Sequence, residues 1–98
     1  MTDSSYGEGE RVFGPPQGTY DAAWVASAAQ QLDPGLPGET AQLLAGEAFA
    51  HLRVIGSPDL PELARRLLAD HPEAGATPAN MVARAACEFC AVYAVDLA

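Results

Sequence analysis

Two cysteines, Cys87 and Cys90, stand three positions apart in NMVARAACEFCAVYAVDLA, and the chain holds two histidines, His51 and His71. Thiolate and imidazole are the donors that bind zinc, and a Cys-x-x-Cys pair is also the core of many disulfide exchangers. The weak metal candidates are therefore Cys87, Cys90, His51 and His71. Redox chemistry needs a thiolate of low pKa, usually at a helix N-terminus. Cys87 lies about nine residues into a helical pattern, where the dipole gives little help and apolar neighbours oppose ionisation. Helical residues three apart hold their Cβ atoms about 5–6 Å from each other, whereas a disulfide wants about 3.8 Å. No second Cys-x-x-Cys follows, and the histidines are single and distant. His71 ends a helix, where its ring is expected to bond the last carbonyls. The leading expectation makes both thiols compact filler on an apolar face.

The remaining chemistry is sparse. Glu39, Glu47, Asp59 and Glu62 read as solvated or capping acids, no Glu-x-x-His pair points to a di-metal bundle, and no serine sits in a Gly-x-Ser-x-Gly context. No resident cofactor is expected.

Four helical patterns must position these residues. TYDAAWVASAAQQLD repeats Trp24, Val25, Ala28, Ala29 and Leu32 at helical spacing, with Thr19 as the expected cap. DPGLPG breaks it. Residues Glu39 to Ile55 carry Ala41, Leu44, Ala45, Ala48, Leu52 and Ile55 on one stripe, widened by Phe49, and Gly56 suits the C′ position. Gly46 weakens this helix unless it serves the close approach of a neighbour. A third helix starts at Asp59, with Pro61 in its first turn and Glu62 at the capping-box position, and closes before Pro72. Thr77 and Pro78 open the fourth, which is expected to run to about Asp96. No stretch alternates long enough for a strand. The fold class is all-α, a compact bundle of four main helices at 19–98 behind a flexible Gly-Pro tail at 1–18. Val12 and Phe13 are that tail's candidates for docking.

On the last helix Val82, Ala85, Ala86, Phe89 and Tyr93 share one side, and Ala83, Cys87 and Cys90 share another. Only Asn80, Arg84 and Glu88 mark a polar strip. So little polar surface implies a central helix or one covered by another subunit.

Ninety-eight residues make one modest core, to which association would add stability. Thirteen acids face five arginines and no lysine, a formal charge of −8. Nucleic acid and anionic membrane surfaces are disfavoured, because no basic patch is present to meet phosphate. The N-terminus lacks a basic region followed by an apolar one, and a cytoplasmic location is expected. These features point to a small acidic interaction or adaptor protein. It is expected to form a homodimer, or to bind another protein, through Trp24, Val82, Phe89, Val92 and Tyr93. The alternative is a metal-binding or thiol-dependent enzyme or accessory subunit using Cys87, Cys90 and a histidine.

Overall fold

A computed structural model describes residues 19–93 and 97. It is an all-α bundle of four main helices: α1 (Thr19–Leu32), α2 (Gly38–Ile55), α3 (Leu60–Asp70) and α4 (Ala76–Tyr93). A single 3-10 turn at Pro72–Ala74 joins α3 to α4, and no strand occurs among the described residues. No helix among them is long and apolar enough to cross a membrane. The expected tail, with Val12 and Phe13, lies outside the described residues, as does the expected continuation of α4 through 94–96.

Local chemistry sets the boundaries. After α1 the Asp33 carboxylate accepts the Gly35 N–H at 3.1 Å, and the Leu36 N–H donates to the Asp33 carbonyl at 2.9 Å. This turn drives Leu36 into the core while Gln30 donates its side-chain amide to the Leu36 carbonyl. The linker is thus a packed corner as well as a break. At the end of α2, Gly56 takes φ 86°, where a Cβ would be strained, and its N–H donates to the Leu52 carbonyl.

α3 begins as expected, with the Asp59 carboxylate accepting the Glu62 N–H at 3.2 Å. The reciprocal half of a capping box is not made. The Asp59 N–H donates instead to the Ser57 carbonyl, and the Glu62 carboxylate accepts from Arg65 and Arg66. Those two guanidiniums, Arg65 foremost, lower the Glu62 pKa to about 2. Pro72 disfavours helical backbone at the residue before it, and His71 accordingly leaves the helix at φ −134°, ψ 66°.

The start of α4 departs from expectation. Thr77 is not its cap: the helix begins at Ala76, and the Ala79 N–H donates to the Gly75 carbonyl. Gly75 adopts φ 93°, ψ 160°, a conformation open essentially to glycine alone, and so turns the chain two residues earlier than a cap at Thr77 would.

Packing follows from the stripes. α2 and α4 each pack against the three other main helices, and α1 and α3 flank them. The core is built of Val25, Leu44, Leu52, Leu63, Leu67, Val82 and Phe89, spaced by alanines that let helix axes approach. Leu32 departs from its expected place: it is exposed, and Ala26 fills the stripe instead. Phe89 is the hub. Trp24 of α1 and Phe49 of α2 each meet it edge-on with ring centroids 5.2 Å apart, and Tyr93 lies 4.7 Å away.

Gly46, midway along α2, has nothing within 4 Å of the position a Cβ would occupy. None of the described helices uses its small size. Gly46→Ala is therefore expected to raise stability by about 0.5–1 kcal/mol in urea unfolding at low micromolar concentration, since alanine is the better helix former. A loss of stability would mean that this space is filled.

Candidate functional site

The polar chemistry gathers where α2 passes the end of α3. Glu47 and His51 are four apart on α2 and share one face of the helix. Asp70 is the last residue of α3, and the break before Pro72 places His71 beside it. His51 Nε2 lies 2.7 Å from Asp70 Oδ2. His71 Nε2 lies 2.9 Å from Glu47 Oε2, and its Nδ1 lies 3.3 Å from Glu73 Oε2. The two imidazoles are 19% and 18% exposed, so the cluster sits in a shallow seam with its carboxylates toward solvent.

Glu47 first, then Glu73, raises the His71 pKa above that of an ordinary imidazole, against an opposing desolvation. As imidazolium it donates through both nitrogens, Nε2–H to Glu47 and Nδ1–H to Glu73. The expected bond from its ring to the last carbonyls of α3 is not what forms. The backbone N–H of His71 serves the Leu67 carbonyl, and the ring bridges to α2. Glu47, read from the sequence as a solvated acid, is the partner that holds it.

The donor atoms of Glu47, His51 and Asp70 all lie within 4.8 Å of one another. No other such group of three occurs among the described residues, and neither cysteine belongs to this one. The two expected histidine candidates thus come to one seam, and Cys87 and Cys90 lie apart from it. The signal for Glu47 was present as Glu-x-x-x-His spacing. Asp70 could be added only by knowing that the end of α3 meets α2.

The cysteines sit on α4 with Cys90 buried and Cys87 half-buried, both packed into the hydrophobic core. Burial, then the neighbouring Cys90 and more weakly Asp59, pushes the Cys87 pKa up to about 11. This is the opposite of what a thiol nucleophile requires.

The expected contact residues divide. Val82 and Phe89 are fully buried inside one chain and cannot meet a partner while the fold is intact, because the other three helices already cover that side of α4. Trp24 and Tyr93 are partly buried, their rings 6.1 Å apart, and serve the aromatic junction. Val92 is 59% exposed. The expectation missed the outer face of α2, where Leu43 is 46% and Val54 71% exposed, with Gly46 and Ala50 open between them.

Comparison with family models, with curated proteins and with solved structures finds no match for this chain.

With a pKa of about 11, roughly one Cys87 thiol in a few thousand is ionised at pH 7.5. In a Cys90→Ala variant, thiolate absorbance followed against pH should show a midpoint far above 9, and reaction with a disulfide reagent at pH 7.5 should be much slower than in the unfolded chain. A midpoint below 9 would contradict this environment.

Proposed function

We propose that this chain is a small protein–protein interaction module that self-associates, with the outer face of α2 as its contact surface. One observation carries the reading: two exposed branched side chains, Leu43 and Val54, bracket an open pair of small residues, Gly46 and Ala50, on a single helical stripe. At 100° per residue these four positions fall within about 80° of one another. All four are exposed among the described residues.

The pattern suits a second copy. Two crossing helices come closest at one point and diverge on either side. Small residues belong at the crossing, and larger ones fit where the axes have separated. The stripe has this order and is close to symmetric about the midpoint between Gly46 and Ala50. A two-fold axis through that point would lay Leu43 of one copy toward Val54 of the other, and closed two-fold dimers are the commonest assembly. Val92, exposed at the end of α4, can add apolar area. The thiol-dependent alternative is disfavoured by the raised Cys87 pKa.

Sedimentation equilibrium from about 1 to 200 μM tests the reading. The full chain should approach twice the monomer mass, and Val54→Glu, which places a charge on the stripe without touching the core, should remain monomeric with an unchanged helical spectrum. A monomer at every concentration, or association equal in Val54→Glu, would overturn it.

A further inference from the structure

We propose that Glu47, His51 and Asp70 form a binding site for a divalent transition-metal ion of the zinc type, with His71 positioning Glu47. The inference does not depend on self-association, since the seam lies within one chain.

Three features carry it. The first is donor chemistry. One imidazole nitrogen and two carboxylate oxygens are a mixed set that suits a borderline ion such as zinc, and three protein ligands leave a fourth position to water. The second is geometry. The three donors already lie within 4.8 Å of one another, and they come from two helices whose relation is fixed by the core. A tetrahedral ion with bonds of about 2.0–2.1 Å holds its ligands about 3.3–3.4 Å apart. The 2.7 Å separation of His51 Nε2 and Asp70 Oδ2 would therefore open by less than about 1 Å as an ion takes the place of the hydrogen between them. The third is charge. Glu47, Asp70 and Glu73 bring three carboxylates against two imidazoles, so even with both imidazoles charged (two positive, three negative) the seam keeps a net −1. Two carboxylates turned toward one point repel unless a cation lies between them.

His71 supplies the outer layer that ligating carboxylates usually have. A carboxylate offers two oxygens, so Glu47 can keep His71 on one while the other meets the ion. Glu73 in turn orients the His71 ring through Nδ1. Such partners typically contribute 10–100-fold to metal affinity. A bound ion would tie the middle of α2 to the end of α3, the joint that the histidine–carboxylate bonds make now.

Calorimetric titration of the full, reduced chain with zinc chloride at pH 7.5 is the test, with heteronuclear NMR of the histidine rings to locate the site. One ion per chain is expected, with the His51 ring signals shifting. His51→Ala and Asp70→Asn should each lose binding by at least about 30-fold, and His71→Ala should weaken it by about 10-fold. Cys87→Ala/Cys90→Ala should bind as the unaltered chain does, and so should Val54→Glu, which separates this site from the association surface. Circular dichroism must show each variant folded, and Asp70→Asn, on an exposed helix end, keeps the test valid if His51→Ala unfolds. No binding at 100 μM zinc would overturn the proposal. Binding undiminished in both His51→Ala and Asp70→Asn would do so too, as would binding lost only with the cysteines.

Discussion

The rest of the structure depends on Phe89. It is fully buried on α4 and receives Trp24 from α1, Phe49 from α2 and Tyr93 from its own helix. Edge-on aromatic contacts contribute about 0.5–1.5 kcal/mol each beyond the area they bury. In a chain this short, with many alanines in its core, few side chains are large enough to fix how helices sit on one another. Alanine permits close approach without dictating a register. The aromatic junction supplies the register, and α4 becomes the rod around which the others are placed.

That arrangement sorts the chain's chemistry. With α4 wrapped on its apolar sides, Cys87 and Cys90 are drawn into the interior, and the same burial that stabilises the fold suppresses thiolate formation. Among the described residues, no charged side chain is buried in the core. The histidines therefore meet carboxylates at the rim, where α2 and α3 leave a shallow seam. Surface ion pairs of this kind contribute little to stability, and their interest lies in the convergence of donors from separate segments. The outer face of α2 carries the opposite anomaly, apolar groups where water is met. Both surfaces draw on α2, the helix that, with α4, contacts all the others, so each has a rigid support.

Much of the fold could be read from residue types. The helix ends rest on strong local chemistry: Asp59 as a cap, Gly56 in the left-handed region, Pro72 beyond α3. The stripe on α2 came out nearly whole for the same reason, since Leu and Phe mark a face clearly. Thr77 misled because Gly75 offered the turn an alternative that a threonine–proline signal does not encode. The covering of α4 was ambiguous in principle: a helix apolar on most sides demands neighbours, but periodicity does not say whether they belong to the same chain. Val82 and Phe89 looked like contact residues on that account and proved to be core. The spacing of Glu47 and His51 was legible on the helix, but the bond from Glu47 to His71, twenty-four residues away, was not. The outer face of α2 was hidden by composition, as alanine and glycine belong equally to a core and to an open surface.

The central claim is that Phe89 closes the core within one chain. Urea unfolding of Phe89→Ala and Phe89→Leu, at concentrations where the protein is monomeric, tests it most directly. The account predicts that the alanine variant loses about 3–5 kcal/mol or fails to fold, with a smaller loss for leucine, which refills part of the space. A loss below about 1 kcal/mol for Phe89→Ala, with an unchanged dependence on urea, would show that the aromatic junction does not hold the bundle together.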